Sequence, residues 1–279
     1  MSDSGLLALA TSERGLCDPA APVIRADDEA LLRGRAAFET LRVYDERPFR
    51  LDAHVDRLLA SARSIGLPHL ERGEFERLTE LVLGAARSDA AALRLVWTAG
   101  AEGGEATALA MLSPIPDWIE VVRARGSRIV SLLGVRAVVP WLLPGVKSTS
   151  YAVNMAADAE AKRRGADDAI FVDADGIVLE GTVTNVWWRV GETLYTPALE
   201  LGILAGVTRA VVLELAGSSG YRVEEGTYPL GDFLAAEEAF TSSSVRELLP
   251  IVELDGQALP RGPAADELQQ ALRVAARAA

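Results

Sequence analysis

The stretch GADDAIFVDADGIVLEGTVTN, residues Gly165–Asn185, carries the pattern that decides the fold. Two short apolar runs, Ala169–Val172 and Ile177–Glu180, flank the turn pair Asp175-Gly176, which reads as a hairpin. Two more runs, Asn185–Val190 and Thr193–Tyr195, are joined by Gly191-Glu192 in the same way. Ahead of the stretch, Ser150–Arg164 has a helical pattern that ends in basic residues and Gly165, an ordinary helix stop. Downstream, Gly206 opens a predicted helix over Val207–Ala216, a strand runs from Glu238 to Thr241 into Ser242-Ser243-Ser244, and Ala265–Ala278 closes as an Ala-rich helix.

The same mixture holds upstream. Phe38–Tyr44 and Arg47–Leu51 read as strands around Asp45-Glu46. Asp52 is of the right type to cap a helix running to about Ile65, with Val55, Leu58, Leu59 and Ala62 at helical spacing and Gly66 as its stop. A second helix is predicted over Gly73–Ala86. Strands follow at Leu93–Thr98 and Ala106–Leu112, separated by the glycine-rich turn Ala99–Glu105. Ser113-Pro114-Ile115-Pro116 is the expected linker. Strands and helices mixed in both halves predict an α+β chain of two subdomains, a small α/β one over 1–116 and a larger one over 117–279. A strand is also expected near Arg128–Leu132, and there is no internal repeat.

The 279 residues are 49% hydrophobic and 24% charged, enough for a full core. A net charge of −12 argues against a nucleic-acid partner and an anionic membrane surface. No apolar run approaches the roughly 18 residues that span a bilayer. The start, Met1-Ser2-Asp3-Ser4, lacks the basic residues of a signal peptide. The single cysteine, Cys17, fits a reducing compartment, so a cytoplasmic protein is expected. His54 and His69 have neither an HExxH frame nor a cysteine beside them, so neither a metal site nor a Ser-His-Asp triad is expected.

Chemistry concentrates near one amine. Of 28 basic side chains only two are lysines, Lys147 and Lys162, and arginine can replace lysine as a charge but not as an amine nucleophile. Lys162 sits in the basic last turn of a predicted helix. Lys147 follows the apolar stretch Ala137–Val146 and precedes Ser148-Thr149-Ser150-Tyr151. It is either a surface lysine in a turn or a partly desolvated amine able to form a Schiff base. Three polar clusters accompany it: Glu180 with Gly181-Thr182-Val183-Thr184-Asn185; Gly202–Arg209, where a helix start can bind phosphate; and Thr241–Ser244, a hydroxyl cluster. Each alone also reads as a turn, a helix end or a polar loop. Together, an amine, a carboxylate, a helix N-terminus and hydroxyls are what pyridoxal phosphate requires.

The ordered set RGRAAFETLRVYDERPFRLDAHVDRLLASA, KSTSY, GADDAIFVDADGIVLEGTVTN, TPALELGILAGVTR and FTSSSVRELLPIVELDG resembles the class IV, fold-type IV pyridoxal-phosphate enzymes from about Asp27 to Gly256. That family includes branched-chain and D-amino-acid aminotransferases, (R)-selective amine transaminases and aminodeoxychorismate lyases. The resemblance implies a small N-terminal α/β domain, a larger β-barrel-like C-terminal domain, and a homodimer with its active site near the subunit interface. It implies that Lys147 is the Schiff-base lysine, Glu180 the partner of the pyridine nitrogen and Tyr151 a tyrosine near the ring oxygen. Arg57, by itself a solvated helix charge, matches the arginine that pairs with the phosphate. Val207, Thr208, Ser243 and Ser244 match the phosphate donors, Leu204 the residue on the ring face, and Asn185 a support for the glutamate strand. Phe38, Arg35, Arg94, Trp97 and Val245 fall at substrate-pocket positions. Two departures stand out. The usual RGDG is Arg33-Gly34-Arg35-Ala36 here, and no histidine follows Arg94 where D-amino-acid aminotransferases carry Arg-x-His. The implied activity is a ping-pong transamination between an amino acid or amine and a 2-keto acid. The alternatives are release of pyruvate and 4-aminobenzoate from aminodeoxychorismate, since LRLVWTAGAEGGEATALAMLSPIP also resembles aminodeoxychorismate lyases, and a non-catalytic phosphate-binding protein.

Overall fold

The computed structural model describes residues 5–134 and 143–278. The start Met1–Ser4 and the part of the apolar stretch from Ala137 to Leu142 lie outside the described residues. The chain forms two compact units, one of Met1–Pro116 with Val146–Tyr151, the other of Asp117–Gly145 with Ala152–Ala278.

In the first unit, β1 (Ala8–Thr11), β2 (Gly15–Cys17), β3 (Ala36–Tyr44), β4 (Arg47–Pro48), β5 (Ala90–Thr98) and β6 (Ala108–Pro114) form one sheet in the order β2-β1-β6-β5-β3-β4. All its pairings are antiparallel. The short α1 (Glu29–Arg33) precedes β3; α2 (Leu51–Ser64) and α3 (Arg72–Ala85) connect β4 to β5. Side chains alternate along a strand, so Leu41 and Val43 of β3 and Leu93, Leu95 and Trp97 of β5 face one way. They share a core with Val55 and Leu58 of α2 and Phe75, Leu78 and Val82 of α3.

Three local expectations are corrected here. The second strand ends at Pro48 rather than Leu51. Helix α2 begins at Leu51 behind Arg50, which is left-handed at φ 57°, and Asp52 does not cap it. The Asp52 carboxylate lies in the first turn and accepts a hydrogen bond from Arg72 Nη2 at 2.5 Å. Ser113 and Pro114 belong to β6, so the linker shrinks to the residues just before Trp118.

Val146–Tyr151 belongs to the first unit, although division at Pro116 puts it in the second. It runs against the start of β3: Phe38 N–H donates to the Lys147 carbonyl (3.2 Å), Thr149 N–H to the Ala36 carbonyl (2.9 Å), and Ser148 bridges to Ala37.

The second unit is built on a mixed sheet. Its strands are β7 (Ser127–Leu133), β8 (Asp168–Val172), β9 (Val178–Gly181), β10 (Asn185–Val190), β11 (Thr193–Pro197), β12 (Arg222–Gly226), β13 (Glu238–Ser243), β14 (Glu247–Leu254) and β15 (Gln257–Ala258). The order is β12-β11-β10-β13-β14-β7-β8-β9, with β15 on β14. The pairs β14–β7, β7–β8 and β11–β12 are parallel. Helices α4 (Trp118–Arg125), α5 (Ala152–Arg163), α6 (Val207–Ala216), α7 (Leu230–Leu234) and α8 (Ala264–Ala278) complete it. Ile129, Ile170, Val186, Trp188, Phe233 and Ile251 form its principal core. The hairpin at Asp175-Gly176 closes because Asp173 Oδ1 accepts the N–H groups of Asp175 and Ile177, while Gly176 takes φ 82°. The fold class is α+β.

Candidate active site

Lys147 is held by its main chain from two sides. Its N–H donates to Ser61 Oγ of α2 at 3.1 Å, and its carbonyl is the acceptor for Phe38 of β3. The side chain is partly buried, with Nζ 4.6 Å from the centroid of the Phe38 ring. Phe38 lies on the β3 face opposite the helices. Tyr151 meets the same ring edge-on at 5.3 Å, and the Arg94 guanidinium lies 5.6 Å from it. Arg94 also donates to Thr40 Oγ1 at 3.2 Å. Lys162, by contrast, pairs with Asp158 one turn away and is exposed.

Arg57 is not a solvated charge. Its Nε and Nη2 donate to the two oxygens of Glu39 at 2.7 Å each, and its side chain is only 13% exposed. Glu39 is completely buried and also faces His54 Nδ1 at 2.7 Å. Burial alone would raise the Glu39 carboxyl, but the hydrogen bonds from Arg57 and His54 win and bring it down to about 2. Burial pushes His54 below its ordinary value, against the pull of Glu39. A neutral ring beside an ionised carboxylate must carry its proton on Nδ1. Neither Glu39 nor His54 was singled out from the sequence. In a strand whose residues alternate, nothing marks FET at 38–40 as holding an interior carboxylate until its helix partners are known.

In the second unit, Glu180 at the end of β9 is 7% exposed. Its Oε2 accepts the Leu204 N–H at 2.9 Å. Asn185 Nδ2 donates to the Leu204 carbonyl at 3.0 Å, so the main chain of Leu204 is pinned on both sides. Helix α6 follows from Gly206. A Cβ at 206 would lie 2.0 Å from Asn185 Oδ1, which is why glycine stands there. Thr208 of the first turn is buried, and its hydroxyl lies 3.4 Å from Ser244 Oγ. Ser243 Oγ accepts the Arg246 N–H at 3.4 Å, across Val245. Arg246 then reaches Asp168 at 2.6 Å, and Asp168 accepts the Thr182 hydroxyl at 2.5 Å. These three residues tie the serine loop to the loop after Glu180 and were missed because they are far apart in sequence.

Two residues expected at substrate-pocket positions have contacts of their own. Trp97 is on the helix-facing side of β5, 3% exposed and 5.6 Å from Phe75. Strand alternation puts it on the side opposite Arg94, in the core with Phe75. Arg35 is bound to Glu29 (2.5 Å) and to the Gly66 carbonyl (2.6 Å), where it ties α1 to the end of α2.

The residues fit pyridoxal phosphate by type. A partly buried amine on an aromatic ring, a buried carboxylate and a glycine-started helix with two neighbouring hydroxyls are the donors and acceptors that an aldehyde, a pyridine nitrogen and a phosphate ester need. Among the described residues no group of three His, Cys, Asp or Glu could hold a metal ion, and no helix is long and apolar enough to cross a membrane.

A family model for the class IV amino-transferases matches residues 36–254. The chain is 36% identical to the bifunctional aminodeoxychorismate lyase / D-amino acid transaminase of Mycobacterium tuberculosis, over 92% of this chain and 94% of that one. It is 31% identical to the aminodeoxychorismate lyase of Bacillus subtilis, over 84% and 82%. Among solved structures, the PLP-bound form of a hypothetical aminotransferase from M. tuberculosis superposes with a TM-score of 0.90 at 34% identity, covering 97% of this chain and 99% of that one. The chain belongs to the class IV aminotransferase family.

Proposed function

We propose that the chain is a pyridoxal-phosphate-dependent aminotransferase that moves an amino group from an amino acid or amine to a 2-keto acid in two half-reactions. The observation that carries this is Lys147, the one lysine seated against a buried strand and an aromatic ring. When bound, the cofactor supplies an aldehyde carbon for the substrate amine and a ring that spreads the electron pair left on the substrate carbon. Lys147 Nζ would take the proton from that substrate carbon and hold it for return. Glu180 would hold the proton on the pyridine nitrogen, with Leu204 N–H fixing the carboxylate. Leu204 would pack on the ring. The Val207 and Thr208 N–H groups, the Thr208, Ser243 and Ser244 hydroxyls and Arg57 would hold the phosphate. Tyr151 would orient the ring oxygen. Phe38, Arg94 and Val245 would line the substrate pocket, with Arg94 as the cation for a carboxylate. The reading includes a cytoplasmic homodimer.

A second reading is supported by the names of the M. tuberculosis and B. subtilis relatives: release of pyruvate from aminodeoxychorismate to leave 4-aminobenzoate. Both reactions need the same amine and carboxylate. Purified protein loaded with cofactor is given L-amino acids, D-amino acids and (R)-amines with 2-oxoglutarate or pyruvate, and separately aminodeoxychorismate. Sustained amine transfer supports the first reading. Aminobenzoate formation without transfer replaces it with the second.

A further inference from the structure

The inward row of β3 reads Ala37, Glu39, Leu41, Val43, and all four are completely buried. A carboxylate in that row is out of place unless it is paired. Its partners come from one face of α2. His54 and Arg57, three residues apart, reach Glu39, and Ser61, one turn further, receives the Lys147 N–H. Both Glu39 oxygens are engaged. Oε1 takes Arg57 Nε; Oε2 takes Arg57 Nη2 and His54 Nδ1. Two nitrogens of the guanidinium are thereby fixed in a fork, which sets the plane and direction of the whole group. A buried ion pair is rarely the most stable filling for a core, so its presence calls for a use beyond stability.

We propose that Glu39, backed by His54, is a positioning residue that presets Arg57 to receive the phosphate ester of the cofactor. The inference rests on the proposed function, in which Arg57 is a phosphate partner. The carboxylate holds the guanidinium in its binding orientation before the cofactor arrives, so little side-chain freedom is lost on binding. His54 keeps the carboxylate from turning away.

Apo protein is titrated with pyridoxal phosphate and, separately, with pyridoxal, which lacks the phosphate. Wild type, Glu39→Gln, Arg57→Ala and the double variant are compared. Glu39→Gln is expected to weaken pyridoxal phosphate binding about 10-fold or more, the scale of a charge-assisted hydrogen bond. It should change pyridoxal binding by less than about twofold, and add nothing in the Arg57→Ala background. Equal losses for both ligands mean a merely structural role and overturn the proposal, as does an unchanged affinity for pyridoxal phosphate. If Glu39→Gln fails to fold, the Arg57 Nε–H resonance of the wild type decides. Unchanged on adding cofactor, it supports a preset guanidinium; a large shift marking release from Glu39 overturns it. Wild type that binds neither ligand removes the proposed function, and this inference with it. Wild type that binds pyridoxal phosphate through Lys147, with an insensitive Glu39→Gln, removes this inference alone.

Discussion

At the scale of single residues, the two lysines separate cleanly. Lys162 is an exposed i,i+4 partner of Asp158, a contact worth a few tenths of a kcal/mol. Lys147 has its main chain bonded on both sides and its amine on Phe38. Glu180 is buried with one oxygen on a backbone N–H. Glu180→Gln keeps the shape but removes the charge. Turnover should fall by roughly 10²-fold or more with cofactor still bound, and near-normal turnover would take Glu180 out of the chemistry. The Glu39–His54 pair adds a pH dependence. Both groups have folded values below their ordinary 4.5 and 6.5, so each binds protons more readily when the chain unfolds. Stability should therefore fall as pH drops below about 6.5 through His54, and further below about 4.5 through Glu39, whose full share is on the order of 3 kcal/mol. Urea midpoints that stay flat from pH 7 to pH 4 would contradict the ionised, buried pair. Lys147 and Glu180 stand out in the sequence because each is rare or flanked by turn residues. Glu39, Asp168 and Arg246 do not, because their contacts are with partners 14 to 78 positions away.

At the scale of elements, the start of α6 is the part most tightly specified. Gly206 is needed for close approach, since an added Cβ would meet Asn185 Oδ1 at 2.0 Å. Gly206→Ala should push Asn185 off the Leu204 carbonyl and cost about 1–3 kcal/mol, seen as a lowered melting temperature. Gly231 in α7 has nothing within 4 Å of such a Cβ, so Gly231→Ala should be neutral or stabilising by up to about 1 kcal/mol. Equal melting temperatures for the two variants would contradict the packing at Asn185. The helix over Val207–Ala216 and the strand over Asn185–Val190 agree with their reading from the sequence, because a glycine or an apolar run bounds each. The entry to α2 was misread. Asp52 has the right chemistry for a cap, yet Arg72 competes for it and a left-handed Arg50 makes the turn. Helix α4 was hidden behind Pro114 and Pro116, and β12 by its parallel pairing to β11, which leaves no hairpin signal.

At the scale of the whole molecule, two units of different sheet type follow from the sequence pattern: an antiparallel sheet backed by two helices, and a mixed sheet with five helices among the described residues. Hairpin turns and helical periods made the α+β class readable. The return of Val146–Tyr151 to the first unit was not, since it depends on two backbone bonds to β3 that no local pattern announces. That return seats the amine over Phe38 and the Lys147 N–H on Ser61. The account is tested most directly by adding pyridoxal phosphate to the full chain, reducing with borohydride and mapping the modified peptide. It predicts one pyridoxyl group per chain, on Lys147, and none on Lys147→Ala under the same conditions. Labelling of Lys162 instead, or equal labelling of wild type and Lys147→Ala, would contradict it.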